Sequence, residues 1–545
     1  MTIYPAGARL LLGPVLRHVG ATTATVWVQA DRPAEVEVLG CRASTFTVHG
    51  HHYALVEVGG LEPGSTTTYQ VHLNGERVWP RPGWPWLASR IRTRGGGAVV
   101  RVVFGSCRCA KPENPRSAAV TGIDALDVQA SRMADTAPQT WPDALLLLGD
   151  QVYADDPPPQ TRRRLPSRRH ATAPPEDEVA NFVEYARLYW DSWSDDGTRW
   201  LMSTVPTAMI FDDHDVRDDW NTSAAWRDEM TAYSWWPSRI RGALAAYWIY
   251  QHIGNLSPKE RHSDPIWRAV QDTDGDAWPV LKKMADAADA DPATIRWSFR
   301  WDIDGVRLVV IDTRCGRVLI EGRRAMLDDA EFSWVEDAVS EGHDAQHVLV
   351  GSSLPWLLAP AIHDVQSANE VACARDSTRG ERIRQAFDLE HWAAFRDSFD
   401  RLAALLRRVA VGPHAPATIS VLSGDVHHSY VARADVDGSP VYQLVCSPVH
   451  HHVPWYITAL MRAAWFGPPA ALVRRAVRRY GVPDPALSWR LISSPVFGNA
   501  VATLVFSERN AELVIEKSSR SGGLEPVSRV ELAAPNDRRQ EGDRR

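Results

Sequence analysis

The chain has 545 residues, 23% of them charged and 44% hydrophobic, with a net charge of −7 and six cysteines. Such a composition belongs to a globular chain of roughly two to four domains. It excludes a disulfide framework, a membrane span of ~18 apolar residues and specific nucleic-acid binding, the basic clusters at 162–164, 168–169 and 474–479 reading as solvated faces of an acidic chain.

Residues 1–95 predict a small all-β domain. Thr23–Gln29 and Ala34–Val38 alternate, Leu55–Val58 runs into a Gly/Pro turn, and Thr66–Leu73 closes on the hairpin signal Asn74-Gly75. The stretch from Gly60 to Tyr69 resembles the corner of fibronectin III and immunoglobulin-like sandwiches, with Tyr69 as the corner tyrosine. Such a domain either packs against its neighbour and supports a lid, or binds carbohydrate.

From Val99 the pattern becomes buried strands alternating with helical segments, the α/β signature. Helices are expected over Phe182–Trp193, over Leu389–Val409 and, as cover, through the Trp-rich stretch Trp220–Trp267; strands are expected at Arg307–Asp312 and His347–Gly351. Leu460–Arg479 reads as a pair of basic surface helices near a site mouth, and Thr503–Glu516 as a closing hairpin. The catalytic unit is set at 99–520 and a disordered tail at 521–545. The N-terminus has no charged n-region and no apolar h-region, which places the expected location in the cytoplasm.

Four apolar strands end in clusters of ligand groups. Val102–Phe104 leads to Gly105-Ser106-Cys107, and Asp143–Leu148 to Gly149-Asp150-Gln151-Val152-Tyr153. Thr207–Phe211 leads to Asp212-Asp213-His214-Asp215, and Thr418–Leu422 to Ser423-Gly424-Asp425-Val426-His427-His428-Ser429. Ligands of α/β sheets bind beyond the carboxyl ends of strands, so the four endings can converge. A lone carboxylate there is ordinarily a cap or an ion-pair partner. Four clusters offering carboxylate, imidazole, phenol and thiol instead suit a hard or borderline metal pair better than a structural zinc. Neither a G-x-S-x-G elbow nor a phosphate-binding P-loop occurs.

The ordered set F-G-S-C, G-D-Q-V-Y, D-D-H-D and S-G-D-V-H-H-S resembles the PhoD-like branch of the calcineurin-type metallophosphoesterases, over about Val99 to Ser507. The resemblance implies a β-sandwich flanked by helices, after an N-terminal β domain, and two metals, iron(III) with calcium, with manganese or zinc as alternatives at the second. By motif position Cys107, Asp150, Tyr153 and His427 hold the first ion, and Asp150 bridges to a second completed by Asp213 and Asp425. His214 stands beside the leaving group. The reaction implied is attack of a metal-activated hydroxide on a phosphate mono- or diester, either a small molecule or a phosphorylated polymer. Arg108 is the expected phosphate clamp, Arg314 a weaker one, and His428 with His450–His452 line the mouth. The chain departs from the family in lacking a twin-arginine leader and a histidine after the strand ending at Val350. It also has Asp215 where glutamate is commoner, and Arg217-Asp218-Asp219-Trp220 in place of an Asn-rich continuation. Two other readings remain open: a metal-binding protein without catalysis that recognises a partner or polysaccharide, and a metallohydrolase of another ester class. The sequence leaves the oligomeric state open.

Overall fold

The computed structural model describes residues 7–165, 175–341, 345–465 and 467–533. The arginine pair at 168–169 and the tail from 534 onward lie outside them. No helix among the described residues is long and apolar enough to cross a membrane.

The alternating segments of the N-terminal region form two four-stranded sheets. One contains Leu10–Val19, Ala24–Ala30, His51–Val58 and Phe46–Val48, and the other Cys41–Ser44, Glu35–Val38, Val71–Leu73 and Glu76–Trp79. Val26, Val28, Val36, Val56 and Val71 fill the space between them. A sandwich strand normally turns its other face to water, but Ala24–Ala30 is buried along its whole length. Its outward residue Trp27, with Leu12, Phe46, Tyr53 and Leu55, belongs to the main hydrophobic core. Trp27 meets Trp193 at 6.2 Å and Tyr250 at 5.4 Å between ring centroids, and the Tyr53 and Tyr250 hydroxyls are 2.9 Å apart. The fully buried Arg261 guanidinium pairs with Glu57 at 2.6 Å. The domain is therefore distinct in topology and continuous with its neighbour in packing.

Tyr69 does not make the corner expected of it. Its hydroxyl donates to the Ser203 carbonyl at 2.6 Å, across the boundary, instead of back to its own turn. The all-β character stands, while the likeness to a fibronectin corner stops at the sequence.

The remaining chain is a mixed α/β body built on two larger sheets. The six-stranded sheet runs Thr207–Ile210, Ala144–Leu148, Val99–Gly105, Ala500–Ser507, Asn510–Ser518, Leu524–Ala533; its first three strands are parallel. The seven-stranded sheet runs Phe299–Ile303, Val306–Ile311, His347–Ser352, Thr418–Ser423, Val441–Val445, Tyr430–Ala434, Trp489–Leu491. Leu145, Leu147, Val102 and Leu504 share one core with Leu308, Val310, Leu349 and Leu444, so the sheets face each other. On the outer side of the second sheet Val309, Val348, Val350, Ile419 and Val421 pack under the helices Asp329–Ser340 and Arg396–Val411.

Phe182–Trp193 is the expected helix, started by Asn181, whose side chain accepts from the Glu184 amide. Two expectations are corrected. The helix expected from Leu389 begins only at Arg396, after a short 3₁₀ turn at Trp392–Ala394; this leaves Glu390 and His391 free to face inward. The tail expected from 521 carries the strand Leu524–Ala533, which extends the six-stranded sheet by pairing with Asn510–Ser518.

Candidate metal centre

All four ligand-bearing strand ends meet at one end of the sandwich. Three leave the six-stranded sheet and the fourth leaves the facing sheet. They are tied by the backbone: the Cys107 amide donates to the Gly149 carbonyl, the Arg108 amide to Asp150, and the Ala154 amide to His214. The Asp425 amide donates to Ser106 Oγ at 3.0 Å. Two glycines make this approach possible. A Cβ on Gly424 would lie 1.7 Å from Ser106 Oγ, and one on Gly149, at φ +104°, 2.6 Å from Asp212 Oδ2.

Cys107, Asp150, Asp425 and His427 all take positive φ, at 56°, 44°, 65° and 50°. Each such residue costs on the order of 1–3 kcal/mol, and such strain persists where surrounding structure holds side chains in a functional arrangement. Four on three separate turns, converging on one place, mark it as a site.

The carboxylates are the inner part. Donor oxygens of Asp150, Asp212 and Asp213 lie within 4.8 Å of one another, and so do donor atoms of Asp213, His214 and Asp218. Asp150 Oδ1, Asp212 Oδ2 and Asp213 Oδ1 are buried without a hydrogen-bond partner. Arg314, wholly buried, reaches into this group from the end of Val306–Ile311. Its guanidinium contacts Asp212 and Glu390 at 2.5 Å, Asp213 at 3.1 Å and Asp425 at 3.7 Å. Arg317 adds a second contact to Glu390 at 3.1 Å. Asp150, Asp212, Asp213, Asp215, Asp425 and Glu390 thus outnumber the two guanidiniums, an excess that a dry interior relieves by taking up protons or by binding a cation. Burial, reinforced by neighbouring carboxylates, pushes the Asp150 pKa well above its ordinary value. Burial also raises Asp212 to about 7 against the pull of Arg314. These side chains fit a metal cation.

An outer row of rings surrounds them. Tyr153 lies tilted against His214 at 4.8 Å and stacks on His451 at 5.0 Å, and His451 stacks on His427 at 4.7 Å. The Tyr153 hydroxyl donates to Asp150 Oδ2 at 3.3 Å. Cys107 Sγ has the Ser106 and Ser447 hydroxyls at 3.1 and 3.2 Å. Burial, then Asp150, raises the pKa of both Cys107 and Tyr153 far above the ordinary range, and burial, then His451, lowers His427 to about 3. Among the described residues, Cys107 and His427 do not form with Asp150 a group as tight as the carboxylate trio.

Of the residues expected from sequence, Cys107, Asp150, Tyr153, Asp213, His214, Asp425 and His427 are brought together. Arg108 is not available as a phosphate clamp. Its five N–H groups are spent on Asp124, Ser192 and Thr198 in a buried network, with Nη2 to Asp124 Oδ2 at 2.8 Å. Arg314, the weaker candidate, spends Nε on Asp212 and Nη1 on Glu390, while Nη2 makes ion-pair contacts only, so it balances charge within the cluster. The carboxylate that orients His214 does not come from its own turn, Asp212, Asp213 and Asp215: Asp215 accepts the Val152 and Asp212 amides. It is Asp155, which accepts from His214 Nδ1 at 2.9 Å. Burial opposes the imidazolium, but Asp155 first and then Asp213 outweigh it, holding the His214 pKa well above its ordinary value. His391, whose Nε2 lies 2.9 Å from Asp425 Oδ2, was also missed.

A model of the PhoD-like phosphatase family matches residues 129–463, more than half of the chain. The chain belongs to the PhoD-like phosphatase family. At family level it is a metal-dependent phosphoesterase. A second model, a domain of unknown function (DUF7800), matches residues 7–91. The solved structure of PhoD shares 12% identity, covers 97% of this chain and 94% of its own, and superposes with a TM-score of 0.58, a likeness of fold. Purple acid phosphatase PPD1 from seeds of yellow lupin (Lupinus luteus) shares 10% identity over 94% of this chain and 73% of its own, with a TM-score of 0.49. No curated protein matches the chain. Within the PhoD-like family frame, the match spans three of the four ligand-bearing turns, while Cys107 lies upstream of it.

Proposed function

We propose that the chain hydrolyses phosphate mono- and diesters at a two-metal centre. Cys107, Asp150, Tyr153 and His427 would hold one ion and Asp150, Asp213 and Asp425 the other. The observation that carries this reading is the set of buried oxygens on Asp150, Asp212 and Asp213 that accept no hydrogen bond, converging beside the ring row. Phenol and thiol donors on one side suit iron(III), and the all-carboxylate side suits calcium. When bound, the metals supply the charge that polarises a phosphoryl oxygen and makes water nucleophilic near neutral pH.

The chain's own groups do the rest. Asp150 stands between the two donor sets and fixes their separation. Arg314 holds Asp213 and Asp425 in place and limits their mutual repulsion. His214 is about one-quarter exposed, with Asp155 anchoring Nδ1 and Nε2 3.7 Å from Asp218 Oδ1. Nε2 therefore carries a proton toward the departing alcohol, the geometry of a general acid. His451 and Tyr153 wall off the inner carboxylates from bulk water.

The test is hydrolysis of bis(nitrophenyl) phosphate and nitrophenyl phosphate by protein loaded with iron and calcium, with and without a chelator. Turnover that the chelator abolishes supports the reading. Absence of turnover on both esters after metal loading rejects it.

A further inference from the structure

A groove of about 1240 Å³ opens beside the metal centre, lined among others by His451, Phe497, Lys517, Ser518, Arg520 and Glu525. It meets the ring row of the centre at His451. His451 stacks on both Tyr153 and His427, and Phe497 stacks on His428 at 5.5 Å. Small-molecule sites run to roughly 300–1,000 Å³, so this groove is larger than one phosphate and a simple alcohol need.

Its charge is specific. Lys517 and Arg520 make no ion pair among the described residues, and Arg462 lies over the Phe497 ring at 5.0 Å, likewise unpaired. Glu525 is the acid in the lining. Lys517 is also laid into place. Gly498 has φ +99°, and a Cβ there would come within 2.7 Å of Lys517 Cε and 2.9 Å of Nζ. The glycine thus gives the lysine stem room to lie along the groove.

We propose that this groove is a subsite for a second phosphate group. The substrate class is then a phosphate ester whose retained alcohol carries a further phosphate, bound by Lys517 and Arg520 while the scissile phosphate sits at the metal centre. This rests on the phosphoester reading above. Charge-assisted bonds to phosphate are the strong kind, and a tenfold preference needs only one such contact to survive solvent screening.

The test compares two nitrophenyl diesters of glycerol phosphate, with and without a second phosphate on the glycerol, using the full metal-loaded chain. Wild type is expected to favour the doubly phosphorylated diester by about tenfold in kcat/KM, mostly through KM. In the Lys517→Ala, Arg520→Ala double variant the preference disappears while turnover of the simple diester is unchanged. Equal kcat/KM in wild type, or a preference that survives the double variant, overturns the subsite. Should neither diester be hydrolysed, the phosphoester reading fails. Calorimetry with glycerol bisphosphate against glycerol monophosphate then still decides the subsite. Tighter binding of the bisphosphate, lost in the double variant, supports it; equal binding rejects it.

Discussion

Asp155→Asn isolates the proton donor from the metals. The substitution keeps the shape of the side chain and removes the charge that faces His214 Nδ1 at 2.9 Å. Coulomb's law at an effective dielectric of ~20 gives about 6 kcal/mol for unit charges at that distance. The His214 side chain is 25% exposed and that of Asp155 10%, and asparagine retains a hydrogen bond, so about one-third of the gross value, ~2 kcal/mol, is the working figure. That corresponds to a ~30-fold shift of the imidazolium's acid equilibrium, and a rate loss of up to that order where the leaving group needs its proton. The assay is kcat on an alkyl phosphate ester and on a nitrophenyl ester, with metal content measured on the same samples. The alkyl ester should slow ~30-fold, and the nitrophenyl ester, whose anion leaves unaided, by less than ~3-fold. Equal slowing of both esters, or a loss of metal, would refute the argument, because the ring would then bind phosphate or join Asp213 and Asp218 as a ligand.

Three further outcomes follow from contacts away from the reacting groups. Arg108→Ala should cost about 3–5 kcal/mol in urea unfolding, because Asp124 stays buried without its partner, and KM for phosphate esters should not move; a KM effect without destabilisation would restore the clamp. His363 is 1% exposed, has both ring nitrogens unpartnered between Phe399 and Trp489, and is lowered to about 3 by burial, then Arg396 and Arg474. The unfolded chain takes up that proton near pH 6.5, so stability is full above it and falls toward pH 3, by about 2 kcal/mol at pH 5; His363→Leu should flatten this part of the profile. Trp27→Ala should destabilise the whole molecule by about 3–5 kcal/mol in a single unfolding transition, and a chain cut back to residue 96 should be insoluble; a folded, active truncated protein would show the β domain to be dispensable.

The inner site was legible because each motif is local. A buried strand followed by a glycine turn and ligand residues can be read in seven or so letters, and the sheet then aligns the endings. Residues that reach the site only through tertiary contact left no such mark. Asp155 lies two positions past Tyr153, beside prolines, and nothing nearby shows that it faces His214. His391 was hidden by a true pattern read one step too far. Trp392, Phe395, Phe399, Leu402 and Leu406 are all buried, so the stripe reported burial correctly. Its first member, Trp392, sits in a 3₁₀ turn, and an expected helix start at Leu389 masked the inward turn of Glu390 and His391. Arg108 shows the opposite failure: adjacency to Cys107 says nothing about direction, and its side chain runs to Asp124, away from the carboxylates. In the β domain, Tyr69 was found as a buried tyrosine but given the wrong partner, since its acceptor, Ser203, is supplied by the neighbouring domain.

The central claim is that Asp150, buried and with Oδ1 unpartnered, belongs to both metal sites. Elemental analysis of wild type and Asp150→Ala after identical loading with iron and calcium tests it directly. The account predicts two metal equivalents per chain in wild type and almost none in the variant, with Asp425→Ala losing chiefly the second. A full metal complement in Asp150→Ala, or a wild type that retains no metal at all, would contradict it.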